Sequence, residues 1–339
     1  MMEIQHNISL KSYNTFGIDA SARLFAAFSS LKQLESLLAY RKERNLDLLV
    51  LGGGSNILLI KDYDGLVLKN ELKGVELVNE DKDYLYIRAG AGENWHQFVI
   101  YCVARGYAGV ENLSLIPGNI GASPMQNIGA YGVEVKDIFH ELEAYHVYEQ
   151  QLTRFSLNDC AFGYRDSVFK NKYKGQFVIT SVTYRLNKVP SFNIKYGAIR
   201  QELDNMGIQN LSIEAISKAV IEIRNSKLPD PKVIGNAGSF FKNPVVDISK
   251  FRSLEEEYPG MPSFPAGEGF IKVPAGWLIE QCGWKGFRKG DAGCYSKQAL
   301  VLVNYGNASG GEIYALSKDI VSSVDDKFGI QLEREVNII

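Results

Sequence analysis

The sequence predicts a mixed helix-and-strand protein of two or three domains with no Rossmann nucleotide site. Three observations lead there. The chain has 339 residues, enough for more than one core. Short strand patterns and amphipathic helical patterns follow one another along its length. The glycine-rich turn Gly52-Gly53-Gly54-Ser55-Asn56 comes straight after a buried-type strand yet matches neither nucleotide fingerprint. Ile57 stands where a dinucleotide motif needs its third glycine, and no Gly-Lys-Ser/Thr follows.

Composition narrows the function classes. Apolar residues at 45% and charged residues at 22% are globular values. A net charge of −2 gives no electrostatic reason to expect nucleic acid or an anionic membrane, so an anionic ligand must be met by a local cluster of Lys and Arg. Cys102, Cys160, Cys282 and Cys294 are scattered, which points to reduced thiols in a cytosolic protein and away from structural zinc. His140 and His146 fall in a predicted strand, but no H-E-x-x-H is present, so no metal is expected. The start, Met-Met-Glu-Ile-Gln-His, has no basic stretch followed by an apolar run, and nothing approaches the ~20 apolar residues of a membrane span. The expectation is a soluble, cytoplasmic protein.

In chain order, a strand is expected through Leu24, Phe25 and Phe28. A helix follows with Leu31, Leu34, Leu37 and Leu38 on one face, and then the strand Leu48–Leu51. Strand, helix, strand and glycine-rich turn make a small α/β unit with backbone N–H groups available to an anion. Short strands are predicted at 66–68, 75–78 and 84–88. The next helix is opened by Glu93-Asn94, carries Trp95, Phe98, Val99, Cys102 and Val103, and is closed by Gly106. Strands resume at 142–147, 152–155 and 177–186. Ser212 caps a helix bearing Ile213, Ile216, Val220 and Ile223, with Arg224 in its last turn. A third unit follows: a helix over 275–281, a strand over 299–304, and a long helix with Ser309 and Glu312 as its capping box. Residues 330–339 read as one strand with Glu333 and Glu335 on the same side.

Three stretches fit no regular element. Ile116–Gly132 is rich in glycine, proline, small residues and amides; a loop that long inside a compact domain is functional or disordered, and its Ile, Met and Tyr content favours a ligand cradle. In Phe162–Lys170, Arg165 sits among aromatic and apolar neighbours, as either a paired structural arginine or an anion clamp. Lys227–Pro244 opens with Pro229 and Pro231, which stop the preceding helix. Gly235 and Gly238 then let the backbone approach a neighbour closely ahead of Ser239, with Lys227, Lys242 and Asn243 around the turn. Read singly, each is also an ordinary surface loop.

Taken together, Asn14–Gly17, Gly52–Asn56, Ile116–Gly132, Phe162–Phe169, Lys227–Pro244 and Leu332–Glu335 resemble the UDP-N-acetylenolpyruvoylglucosamine reductases over nearly the whole chain. Tyr196-Gly197 is similar to the form of that family with a tyrosine-bearing substrate loop. The resemblance implies an α+β architecture: a non-Rossmann FAD-binding fold of two α+β subdomains (1–65 with 329–339, and 66–227) and a third α+β substrate-binding domain (228–328). It implies bound FAD, NADPH as hydride donor, and a UDP-sugar substrate sharing one cleft with NADPH, in a monomer that binds neither nucleic acid nor membrane. By the same resemblance FAD is held by Gly52, Gly53, Gly54, Ser55 and Asn56, by Pro117, Gly118, Gly121, Ser123, Pro124, Gln126, Asn127, Ile128 and Gly129, and by Arg224.

The implied chemistry adds hydride from flavin N5 to the terminal carbon of the enolpyruvyl group, so negative charge builds on the adjacent carbon and its carboxylate. Arg165 matches the family's carboxylate-binding arginine, whose planar fork suits two oxygens. Ser239 matches the proton donor and Glu335 the catalytic glutamate. A carboxylate beside developing negative charge implies that Glu335 is protonated or hydrogen-bonding at that step. Tyr164, Tyr196, Lys227, Asn243 and Gln298 match substrate-binding positions. Cys294-Tyr295-Ser296-Lys297 departs from the family pattern, which commonly has a histidine there. Another flavin oxidase on the same scaffold would react fast with oxygen and need neither Ser239 nor Glu335. A non-catalytic flavin sensor would be expected to lose one of the catalytic three.

Overall fold

The computed structural model describes residues 3–339; Met1 and Met2 lie outside the described residues. The chain divides into two compact units. One comprises the described residues through Ile8, with Ala22–Gly54 and Tyr63–Ser226; the other comprises Ser9–Ser21, Ser55–Asp62 and Lys227–Ile339. Among the described residues no helix is long and apolar enough to cross a membrane.

The first unit opens on a four-stranded sheet. Its strands are β1 (Gln5–Ser9), β2 (Ser21–Phe28), β3 (Leu48–Leu51) and β4 (Tyr63–Asn70), in the spatial order β1-β2-β4-β3. Both β2 and β3 run parallel to β4, so the link between them must cross over, and helix α1 (Leu31–Glu43) does so. Ser30 caps α1 by accepting the Gln33 N–H. The helix buries Leu34, Leu37 and Leu38 against Leu24, Ala26, Phe28, Leu66 and Leu68. The predicted helix and flanking strands therefore stand, with a polar edge strand β1 that carried no apolar alternation to announce it.

A second sheet is antiparallel. Strands β5 (Val75–Glu80), β6 (Tyr84–Gly90), β7 (Phe139–His146), β8 (Leu152–Ser156) and β9 (Phe177–Asn187) lie in the order β8-β7-β9-β6-β5. Helix α2 (Trp95–Val103), capped by Asn94, packs Trp95, Phe98 and Cys102 into a core with Ile87, Val182 and Tyr184. Trp95 and Phe98 meet the Tyr184 ring at centroid distances of 5.6 Å and 4.9 Å. Two further helices, α3 (Gly197–Asn205) and α4 (Ile213–Lys227), share a small core of Ile199, Leu203, Ile216, Val220 and Ile223. The sequence pattern indicated α4 and its Ser212 cap, whose hydroxyl accepts the Ala215 N–H at 3.1 Å. It did not indicate α3, because Ile199 and Leu203 alone make too narrow an apolar stripe in a polar segment.

In the second unit β10 (Gly235–Ser239), β11 (Ala292–Cys294) and β12 (Val301–Asn304) form a sheet in the order β10-β12-β11, with Arg288–Lys289 at the far edge. Helix α5 (Ile248–Glu257) and the small sheet of Val245–Asp247, Phe264–Pro265 and Phe270–Lys272 precede α6 (Ala275–Gln281). Helix α7 (Gly310–Phe328) carries the expected capping box, and Gly329 closes it in the left-handed conformation. Its buried face is Ile313, Leu316, Ile320, Val324 and Phe328.

Residues 330–339 do not form the single strand that alternation predicted. Only an isolated bridge at Arg334 and the two-residue strand Asn337–Ile338 are present. The tail changes partner midway, from the Phe240–Lys242 backbone to Ile57–Leu58, so no one ladder runs its length. The earlier stretches of this unit are tied in by backbone bonds: Asn236 donates to the Thr15 carbonyl at 3.0 Å and Asn337 to the Asn56 carbonyl at 3.1 Å. All four cysteines are free, and burial pushes the Cys160 and Cys294 thiols up to about 12.

Candidate active site

In the first unit two glycine-bearing loops meet backbone to backbone. A Cβ added at Gly53 would lie 2.9 Å from Gly118 Cα and 3.0 Å from Asn119 Oδ1, so a side chain there would force the loops apart. The Asn119 amide donates to the Gly92 carbonyl at 2.8 Å, and Lys69 donates its ammonium to the Gly52 carbonyl from β4 below. Burial lowers the Lys69 pKa. The 117–129 loop hangs from the first turn of α2: Trp95 N–H donates to Gly118 C=O at 3.0 Å, and Ile120 N–H to Glu93 C=O at 2.8 Å. This close approach of bare backbone, beside a half-buried cation, fits a diphosphate far better than a bulky apolar ligand.

Not every residue of that loop faces outward. Ser123 is buried, with its hydroxyl 2.7 Å from that of Tyr184. Asn127 is buried too, donating to Glu134 at 2.9 Å and to the Gly163 carbonyl at 3.0 Å while accepting the Lys136 N–H at 3.0 Å. These two side chains shape the loop from within. Pro124 is buried beside them, Pro117 is exposed, and Gly121, Gln126 and Ile128 are half-buried.

Arg165 reaches this loop from the third stretch. It adopts φ 54°, a left-handed backbone that non-glycine residues hold only under constraint. Its Nη2 donates to the Gly129 carbonyl at 2.7 Å, and its guanidinium lies 5.4 Å from the Tyr164 ring centre. Arg224, near the end of α4, donates Nε to the Leu115 carbonyl at 3.2 Å and is hydrogen-bonded to the Tyr131 hydroxyl. The Tyr131 ring meets Tyr196 edge-on at 5.4 Å. Arg165, Arg224, Tyr164 and Tyr196 are thus gathered with Gly129, although they are far apart in the chain. Burial, then the like charge of Arg165, lowers the Arg224 pKa. Among the described residues no carboxylate forms an ion pair with Arg224. Such a cation is costly until an anion arrives.

The second unit builds a separate constellation. In β10 the Asn236 carboxamide oxygen accepts the Gly238 N–H at 2.9 Å, Gly238 takes φ 69°, and the resulting bulge returns Ser239 to the ladder opposite Val301. The next residue links three strands' worth of backbone: Phe240 N–H donates to Leu300 C=O at 2.8 Å, and Phe240 C=O accepts the Glu335 N–H at 2.9 Å. These main-chain bonds put Phe240, the residue after Ser239, opposite Glu335. The Asn56 amide holds the Glu335 carbonyl at 3.3 Å, placing Asn56 in the same group. Lys242 is engaged with Glu333. The Asn243 side chain accepts the Ala275 N–H at the start of α6 at 2.9 Å, and a Cβ at Gly276 would lie 2.9 Å from Gln298 Oε1, so Asn243 and Gln298 meet at that turn. Lys227 ends α4 in an exposed position.

Among the described residues no group of three or more His, Cys, Asp or Glu is placed to hold a metal. His140 packs against the Tyr86 ring, and His146 accepts the Glu149 N–H through Nδ1.

Comparison with known proteins adds to this geometry. Residues 230–339 match a model described as the UDP-N-acetylenolpyruvoylglucosamine reductase C-terminal domain, and residues 22–148 a model described as an FAD binding domain. UDP-N-acetylenolpyruvoylglucosamine reductase from Amoebophilus asiaticus is 51% identical over 338 residues, covering 100% of both chains. The protein of that name from Flavobacterium johnsoniae is 50% identical, again covering 100% of each. This chain belongs to the UDP-N-acetylenolpyruvoylglucosamine reductase family. The crystal structure of the Thermus caldophilus UDP-N-acetylenolpyruvylglucosamine reductase superposes with a TM-score of 0.70 over 100% of this chain and 99% of the other, at 22% identity, and shows the same fold.

For a member of this reductase family the matched FAD binding domain spans both glycine loops, Gly52–Gly54 and Pro117–Gly129. In the Cys294–Lys297 segment, Cys294 is buried and donates its thiol to the Ala299 carbonyl at 3.0 Å. Two residues of the arginine cluster escaped the sequence reading: Tyr131, at φ 51°, and His96, whose Nδ1 accepts the Leu115 N–H at 3.0 Å. Tyr131 lies inside a stretch already singled out. His96 had no signal beyond its place in the first turn of a capped helix.

Proposed function

We propose that this chain reduces UDP-N-acetylglucosamine enolpyruvate to UDP-N-acetylmuramate with NADPH as electron source, a step in peptidoglycan precursor synthesis. The observation that supports this reading is the 51% identity, over the whole of both chains, to a reductase of that name, in a chain that retains Arg165, Ser239 and Glu335. FAD, once bound and reduced by NADPH, supplies the hydride that the terminal enolpyruvyl carbon accepts. Gly52–Asn56 and the Pro117–Gly129 loop hold the cofactor, with Arg224 beside it. The cofactor-binding parts are residues 1–65 with 329–339 and 66–227, and the substrate-binding part is 228–328.

The chain's own residues then handle charge and protons. Arg165 holds the enolpyruvyl carboxylate with a two-pronged fork, which keeps the developing negative charge paired. Ser239 gives its hydroxyl proton to the carbon next to that carboxylate, completing addition of hydride and proton across the double bond. A neutral hydroxyl suits this task, because it does not place an anion beside the charge before the transfer. Glu335 is protonated or hydrogen-bonding at that step, so that it does not oppose the developing negative charge. Tyr164, Tyr196, Lys227, Asn243 and Gln298 bind the remainder of the substrate. The enzyme works in the cytoplasm as a monomer.

Ser239→Ala tests the proposal. FAD should still bind and be bleached by NADPH, while its reoxidation by the enolpyruvyl sugar nucleotide slows by about 10²–10⁴-fold, the range for a positioned proton donor. Substrate-driven reoxidation at the wild-type rate would remove the serine from the mechanism.

A further inference from the structure

His96 takes no part in the reading above, yet it sits where two hydrogen bonds in series end on Arg224. Its Nδ1 accepts the Leu115 N–H at 3.0 Å, and the Leu115 carbonyl accepts Arg224 Nε at 3.2 Å. Leu115 itself has φ 59°, a left-handed backbone that a leucine holds only where its surroundings over-determine it. The peptide groups on both sides of that residue are the ones these two bonds grip. The segment is also anchored independently of His96: the Trp95 indole donates to the Leu113 carbonyl at 2.9 Å, and Trp95 N–H to that of Gly118 at 3.0 Å.

We infer that His96 is a positioning residue for cofactor binding, whose neutral imidazole fixes Leu115 and through it aims the Arg224 guanidinium. The inference rests on the reading that Arg224 bears on FAD. An Nδ1 that accepts a hydrogen bond leaves the ring proton on Nε2; an imidazolium carries protons on both nitrogens and cannot accept. The charged group bearing on His96 is Arg224 from α4. The Ser114–Ile116 segment against its Nδ1 and the rest of α2 carry no ionisable side chain except Cys102 and Tyr101. Burial, then the Arg224 charge, holds the His96 pKa below its usual value, so the neutral acceptor persists at neutral pH. Protonation in more acidic solution breaks the bond to Leu115 and sets a second cation facing Arg224.

The test measures FAD release, by flavin fluorescence on dilution of the holoenzyme at pH 7.5 and 5, for wild type, His96→Leu, His96→Asn and Arg224→Met. Wild type should bind FAD about tenfold more weakly at the lower pH, the effect of losing one hydrogen bond to a buried donor. His96→Asn, whose carboxamide oxygen takes the place of Nδ1 and does not titrate, should match wild type at pH 7.5 and lose most of the pH dependence. His96→Leu should be about tenfold weaker at both pH values. Weakened Arg224→Met with His96→Leu indistinguishable from wild type would overturn the role of His96 and leave the Arg224 reading standing. Arg224→Met with wild-type affinity would overturn that reading. Should His96→Leu not fold, a His96→Asn protein with the wild-type pH profile would overturn the inference by itself.

Discussion

Arg165 combines a strained backbone with a charge-bearing fork. Its Nη2 bond to the Gly129 carbonyl orients the planar guanidinium beside the loop. Arg165→Lys replaces that fork by a point charge. The expected outcome is a fall in kcat of at least tenfold with NADPH reduction of FAD retained, measured by stopped-flow absorbance of each half-reaction; near-normal turnover would make the arginine structural. Arg165, Ser239 and Glu335 stand out as candidates in the sequence because each falls in a stretch that resembles the family's motifs. Tyr131 and His96 were not, because their meaning comes from Arg224, which is remote in sequence and reaches them only after α4 has packed. Ser123 and Asn127 show the reverse limit: motif position cannot tell a side chain that meets a ligand from one bonded inward to Tyr184 or Glu134.

Helices with a cap and a wide apolar face were legible down to their first residue, as α7 shows with Ser309, Glu312 and its five buried apolar residues. Elements defined by a change of partner were not, and the tail from 330 to 339 is the example. The start of α7 also offers a paired prediction. A Cβ at Gly310 would lie 1.8 Å from the Leu59 carbonyl oxygen, whereas one at Gly311 would meet only Ser309 Oγ at 3.9 Å. Gly310→Ala should therefore cost about 1–3 kcal/mol through overpacking against fixed backbone. Gly311→Ala should stabilise by up to about 1 kcal/mol through helix propensity. Urea unfolding of the two variants checks both; equal midpoints would show that the Leu59 backbone yields.

At the scale of the molecule, cofactor and stability are linked, because FAD binds the folded chain and not the unfolded one. With free FAD at a hundredfold excess over its Kd, the folded state gains about 2.7 kcal/mol. Stripping the flavin should lower the Tm by several degrees in a thermal scan, and re-adding it should restore the value; identical transitions would mean that FAD makes no net contribution to folding. Length pointed to two or three domains, and the chain divides into two compact units, in one of which residues 9–21 and 55–62 join Lys227–Ile339. That interleaving has a consequence for biosynthesis. While the ribosome is still making the intervening stretch, Thr15 and Asn56 have emerged but their backbone partners Asn236 and Asn337 do not yet exist. The nascent chain must carry those early segments unsatisfied, open to chaperones and proteases, until the last part of translation. Arrested chains ending near residue 226 should accordingly be cut by added protease within residues 9–21 or 55–62, and the finished protein should not.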